Sequence, residues 1–148
     1  MKYVLLSFFL FTTAVTFGQT RQIVQVRKDS ISPFPFSPGI ISNGLLFVSG
    51  QVGTDPKTGK LIPGGTEAET EQTIQNIKTI LEAGKASLTD VMSVTVYLSN
   101  MDDFAKMNAI YQTHFKAGNF PARTTVGVAK LVYGSAVEMT MTAAVKKK

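Results

Sequence analysis

The 148-residue sequence contains no cysteine and no tryptophan, and a single histidine, His114. Without cysteine there is no disulfide framework, no thiolate nucleophile and no zinc–thiolate centre, and one imidazole cannot build a histidine metal site. There is also no apolar run of the roughly 20 residues that a membrane-spanning helix requires. Charge of one sign is scarce once it is located. The formal net charge is +5, but setting aside Lys2 and the terminal Lys146, Lys147 and Lys148 leaves +1. A body so close to neutral presents no obvious basic stripe, which argues against nucleic acid as a partner.

The first stretch, "MKYVLLSFFLFTTAVTFGQT", has Lys2, an apolar run from Tyr3 to Phe17 and then small or polar residues. That is the layout of a secretory signal peptide. We expect residues 1–18 to be a leader cut after Gly18, and the mature chain to be exported, to the periplasm or beyond. No cysteine lies near the cut, so no lipid anchor on cysteine is expected. Residues 19–148 are then about 130 residues, the size of one domain with a real core.

Local signals order this domain. "RQIVQV" (21–26) reads as a short strand, and the three prolines of "SPFPFSPG" (32–39) as an extended lead-in. Asn43 and Gly44 between two apolar runs predict a hairpin, because a type I′ turn needs positive φ at both central positions. "TDPKTGKLIPGG" (54–65) is turn-rich, and turn geometry alone accounts for Asp55. Thr66 followed by Glu69 has the spacing of a capping box, Ile74, Ile77 and Leu81 recur at helical spacing, and Gly84 is expected as a left-handed helix end. "DVMSVTVYLS" (90–99) predicts a strand buried on both faces. Asn100 or Asp102 can cap a second helix whose stripe is Phe104, Met107, Tyr111 and Phe115. Asn108 falls inside that stripe. A buried amide without partners costs on the order of 1–3 kcal/mol, so Asn108 either bonds to backbone or lines a site.

Two strands follow, about 121–132 and 136–145, expected as a hairpin turning near Tyr133 and Gly134. Val137, Met139, Met141, Ala143 and Val145 point one way, Glu138, Thr140 and Thr142 the other. The fold class is therefore α+β, with two helices on one face of a mixed sheet. Arg123, Thr125 and Glu138 are expected on the other face, which packs against another copy. In that hairpin Arg123 and Glu138 would stand close to 20 Å apart, at about 3.3 Å per residue. Either both are ordinary surface charges, or they converge from neighbouring subunits; spacing does not choose.

The segments "FVSGQVGTDPKTGKL", "NIKTILEAG", "DVMSVTVYLSNMDDFAKMNAIY" and "FPARTTVGVAKL…VEMTMTAAV" resemble the reactive intermediate deaminase A (RidA, YjgF) family across about residues 22–145. The resemblance implies a chorismate-mutase-like subunit, a homotrimer around a central barrel of sheets, and three inter-subunit clefts. By position, Arg123 matches the family's substrate-carboxylate arginine, Glu138 the acid that handles water and protons, and Asn108 the site asparagine. Ser49 and Gly50 match its "SG" pair. Thr125 stands where many members have cysteine, and Phe36 where the family commonly has a site tyrosine, which removes one hydrogen-bonding group.

The implied activity is hydrolysis of 2-iminoalkanoates, small imino acids, to 2-keto acids and ammonia, with neither cofactor nor metal. Export sits awkwardly with this, because such imines arise from enzymes that are normally cytoplasmic. A non-catalytic trimer that binds small carboxylates, or an extracytoplasmic stress or interaction protein of the same fold, is the alternative.

Overall fold

The computed structural model describes residues 21–26 and 34–145. The expected leader at 1–18, the start of the proline-rich lead-in and the lysine tail lie outside the described residues. The sheet starts with β1 (Gln22–Val24), shorter than expected, paired antiparallel to β2 (Gly39–Ser42). β2 turns through Asn43 (φ 52°) and Gly44 (φ 77°) into β3 (Leu45–Val52), the expected hairpin.

Helix α1 (Gly65–Ala83) follows the turn-rich loop, with Gly64 as its N-cap and no side-chain cap bond. The expected capping box at Thr66 and Glu69 does not form. Both residues lie inside the helix and bond elsewhere: the Thr66 hydroxyl donates to Asp103 Oδ2 (2.9 Å), and a Glu69 carboxylate oxygen accepts from Ala136 N–H (2.8 Å). The helix is entered through Gly64 (φ 117°) and Gly65 (φ 70°), a left-handed approach that places the N-cap two residues before Thr66, where the sequence signal put it.

The end of α1 also differs in mechanism. Gly84 has φ −82°, and Lys85 (φ 63°) takes the left-handed position. Gly84 is needed for space: a Cβ there would overlap Leu46 Cδ2, and Leu46 is fully buried. Since the backbone of Gly84 suits any residue, Gly84→Ala isolates this overlap. We expect it to cost about 1–3 kcal/mol, the usual range for overpacking, read as a thermal midpoint several degrees lower by circular dichroism.

β4 (Val91–Leu98) leads to a 3-10 turn at Met101–Asp103, capped by the Asn100 side chain accepting from Asp102 N–H (3.1 Å). Helix α2 (Phe104–His114) then packs on α1, with His114 Nε2 2.7 Å from Glu71 Oε2. The last strands are β5 (Ala122–Gly127) and β6 (Val137–Ala144).

These two do not form the expected hairpin. The sheet order is β1-β2-β3-β6-β4-β5, so β4 lies between them. β5 runs parallel to β4 at the sheet edge, and β6 inserts antiparallel between β3 and β4. Tyr133 (φ 59°) and Gly134 (φ 72°) do bend the chain, but within a longer crossover. Inserting β6 between two strands satisfies hydrogen bonds on both its edges; a hairpin with β5 would satisfy only one.

Helices α1 and α2 cover one face, as expected. Ile74, Ile77 and Leu81 of α1, and Met107 and Tyr111 of α2 with Phe115 beyond it, bury against Leu46, Val48, Val94, Val96, Met139 and Met141. Each such side chain contributes about 1.5–3 kcal/mol when fully buried. β4 is buried on this side only: Val94, Val96 and Leu98 face the core, while Thr95 and Tyr97 are half-buried on the opposite side. That opposite face carries Phe47, 47% exposed, and Met92, 56% exposed. Among the described residues nothing covers it.

Candidate functional site

The register of the central strands fixes which side chains meet. Val94 pairs with Arg123 on one side and Met141 on the other, while Tyr97 pairs with Val126 and Glu138. Paired residues share a face. Val94 and Met141 lie under the helices, so Arg123 is on the helix side; Glu138 and Tyr97 project from the uncovered side. The expectation that Arg123, Thr125 and Glu138 share the uncovered face is thus corrected: Arg123 and Thr125 are on the other side, because β5 joins parallel to β4 in a register that sequence spacing does not reveal. Within one chain the two charges are separated by three residues along β4 and two strand spacings, about 10 Å in each direction. They cannot form an ion pair with each other.

Around Arg123 the groove is built by α2. Helical spacing places Phe104, Asn108, Tyr111 and Phe115 on one face. The Arg123 guanidinium carbon lies 4.5 Å from the Tyr111 ring centroid and 5.8 Å from that of Phe104. Asn108, Tyr111, Gln112, Phe120, Pro121 and Arg123 line a concavity of about 350 Å³. Among the described residues Arg123 has no carboxylate partner and the Asn108 amide no hydrogen bond. The reading of Asn108 as an amide satisfied by backbone therefore fails. A half-buried guanidinium beside an open amide can accept a small anion, and the planar fork suits a carboxylate.

The second cup is made by a β-bulge. Between Val48 and Gln51 the pairing of β3 with β6 shifts, so Ser49 and Gly50 stand opposite one residue, Thr140. The Thr140 hydroxyl donates to Val48 O (2.7 Å), and Gln51 Nε2 donates to Gly50 O (3.0 Å), which hold the bulge in place. Glycine at position 50 leaves room for the Glu138 carboxylate, since a Cβ there would overlap Glu138 Oε1 and push it aside. Gly50, Tyr97, Val128, Lys130, Leu131, Glu138 and Thr140 line a concavity of about 310 Å³. Burial holds the Glu138 carboxyl above the usual carboxylate range, and no cation or donor among the described residues opposes it. Such a carboxyl is suited to exchanging protons closer to neutral pH.

The remaining expected site residues are placed more loosely. The Ser49 hydroxyl donates to Ser37 O (2.6 Å), so its hydrogen ties β3 to the lead-in segment. Phe36, 49% exposed, stacks on Phe34 at 5.4 Å and lines neither concavity. Thr125 follows Arg123 on the same side of β5 but lines neither. Sequence reasoning missed Tyr97, Lys130 and Thr140 as lining residues. The alternation of β4 and β6 would have placed Tyr97 and Thr140 beside Glu138 had the order of strands been known. Among the described residues no cluster of three metal-ligating side chains occurs, and no helix is long and apolar enough to cross a membrane.

Comparison with known proteins agrees with this architecture. A RutC family protein of Pyrococcus horikoshii is 47% identical over 97 residues, covering 66% of this chain and 76% of that protein. A Rattus norvegicus protein named 2-iminobutanoate/2-iminopropanoate deaminase is 37% identical over 119 residues, 80% of this chain and 86% of its own length. The crystal structure of RidA from the Antarctic bacterium Psychrobacter superposes with a TM-score of 0.77 at 34% identity, covering 84% of this chain and 99% of that one. Residues 28–145, which include both concavities, match the family described as Endoribonuclease L-PSP. The chain belongs to that family, whose members also carry the names YjgF and RidA.

Proposed function

We propose that this protein is a cofactor-independent 2-imino acid deaminase, whose sites form where the β5 edge of one copy meets the uncovered face of another. One observation carries the reading: a guanidinium and a raised-pKa carboxyl, neither in an ion pair among the described residues, in concavities on opposite sides of one sheet. The name of the rat relative supports the reaction class. A head-to-tail contact of this kind closes into a ring when the rotation allows. A ring of three, around the exposed Phe47 and Met92, is the assembly we propose. We further propose that the protein works outside the cytoplasm after loss of residues 1–18; a mature N-terminus at Gln19 would be read by mass spectrometry of the exported protein.

The chemistry asks little of the protein. Arg123 holds the substrate carboxylate, with the Asn108 amide beside it. Glu138, as carboxylate, accepts a proton from water as the oxygen adds to the C=N carbon. With the imine nitrogen protonated at the start, it returns that proton to nitrogen to make an ammonium leaving group, then accepts the hydroxyl proton as the C–N bond breaks, so that a 2-keto acid and ammonia form and the last proton passes from Glu138 to solvent. The imine is already electrophilic, so orientation and proton transfer suffice. The test is direct: 2-iminopropanoate generated in situ from alanine by an amino-acid oxidase, with purified protein added. Faster ammonia release than in buffer is expected. No acceleration at any protein concentration ends the enzyme reading.

Gly50→Ala probes the bulge. The backbone at Gly50 tolerates alanine, but the new methyl must displace the Glu138 carboxylate. We expect kcat to fall about 100-fold, as for catalytic groups displaced by about 1 Å, with a nearly unchanged thermal midpoint because the flexible end of Glu138 gives way.

A further inference from the structure

Arg123 is held in place without an anionic partner among the described residues, which calls for some other means of fixing a side chain with about 2 kcal/mol of rotamer entropy. The means is visible in α2. The Tyr111 ring is 2% exposed and stacked on Phe115, with centroids 4.4 Å apart and planes 24° from parallel. The Arg123 guanidinium carbon is 4.5 Å from the same Tyr111 centroid. Phe115 and Arg123 cannot both occupy one face at those distances, so the ring is sandwiched and cannot turn away. Phe104, 5.8 Å from the guanidinium, adds a second ring.

We propose that Tyr111, supplemented by Phe104, is the positioning residue of the carboxylate receptor: a π-seat that fixes the Arg123 fork while leaving it unpaired for the substrate. Attraction to a ring face draws on the cation's charge and requires no acceptor oxygen. A protein carboxylate in that place would hold Arg123 equally well and would also compete with the ligand. The seat avoids this competition. The phenol adds nothing to it: its hydroxyl is buried without a hydrogen-bond partner among the described residues. Burial pushes its pKa up to about 12, with Arg123 pulling the other way, so the ring stays neutral at working pH. The inference rests on the deaminase reading for its ligand, and its test separates the two.

The probe is pyruvate, the keto acid expected from 2-iminopropanoate, titrated by calorimetry into the full assembled protein and its variants at a temperature where all are folded. Tyr111→Phe keeps the ring and should bind within about twofold of wild type. Tyr111→Leu should bind about tenfold more weakly, a typical loss for a partly desolvated cation–π contact. Phe104→Leu, at a ring already 38% exposed, should fold normally and bind about twofold more weakly. Nuclear magnetic resonance gives a second readout: the Arg123 side-chain protons should be shifted upfield by the ring in wild type and Tyr111→Phe, and return to ordinary values in Tyr111→Leu. A Tyr111→Leu protein that binds pyruvate like wild type, with only its stability lowered, overturns the seat alone. So does a Tyr111→Phe protein as weak as the leucine variant. Wild-type protein that neither binds pyruvate nor hydrolyses the imine overturns the deaminase reading, and the seat's role in ligand binding with it.

Discussion

Glu138→Gln is expected to lower kcat by about 10²–10⁴-fold, the range for loss of a positioned acid–base group, with KM for the imine nearly unchanged. The amide keeps the shape of the side chain and fills the same space beside Gly50, so the loss reports proton transfer rather than packing. The pH profile supplies the sign. Burial raises the Glu138 pKa, so the carboxylate needed to accept a proton from water disappears at a higher pH than for an ordinary glutamate. Activity should therefore fall on the acid side through that raised value, and this limb should be missing from the residual activity of the variant. Stability moves the opposite way. A carboxyl whose folded pKa exceeds its unfolded value contributes stability that is complete below the unfolded pKa and lost as pH rises through the folded one. At neutral pH the ionised Glu138 is then a net cost to the fold. The thermal midpoint of Glu138→Gln should equal or exceed that of wild type at pH 7, and the difference should shrink towards acid pH. The same variant separates an enzyme from a non-catalytic carboxylate binder: a binder would keep its affinity for pyruvate and have no turnover to lose.

How far the sequence reaches is instructive in particular places. Asn43 and Gly44 announced their turn because both must adopt positive φ, a demand met locally. The alternation of Val137 to Ala143 announced one buried and one polar face of β6, again a local property. Thr66 and Glu69 misled because the capping-box pattern shows only that two side chains can reach the backbone; here they reach Asp103 and Ala136 instead, 37 and 67 residues away. The partner of β5 was not legible either. A strand followed by a turn reads as half of a hairpin, and only the non-local gain of pairing β6 on both edges makes the chain cross over. That crossover decides the site, since it sets Arg123 against the helix face and Glu138 against the other. Arg123, Glu138 and Asn108 could be singled out as candidates from the sequence. That the first two face opposite ways could not.

Arg123→Ala is expected to lower kcat/KM by about 10²–10⁴-fold, the loss of two hydrogen bonds to a charged group at roughly 1.5–3 kcal/mol each. The effect should fall mainly on KM, because the substrate carboxylate is unchanged between ground and transition states and its binding is uniform along the reaction. Arg123→Lys keeps the charge but gives up the fork, so it should recover only part of the loss. Neither change should lower stability much, since Arg123 is half-buried on an edge strand without an ion pair among the described residues. The two disabled variants also test where the site lies. If one copy supplies Arg123 and its neighbour Glu138, unfolding and reassembling equal amounts of Arg123→Ala and Glu138→Gln creates interfaces at which the intact arginine meets the intact glutamate. In a closed head-to-tail ring about one quarter of the interfaces receive both, so activity should return to about a quarter of wild type from two proteins that are nearly inactive alone. A site contained within one chain gives no such recovery, because every chain in the mixture lacks one of the two groups. The opposite facing of β5 and β6 side chains across β4 is the reason to expect recovery, and a mixture as inactive as its parts would refute the shared site.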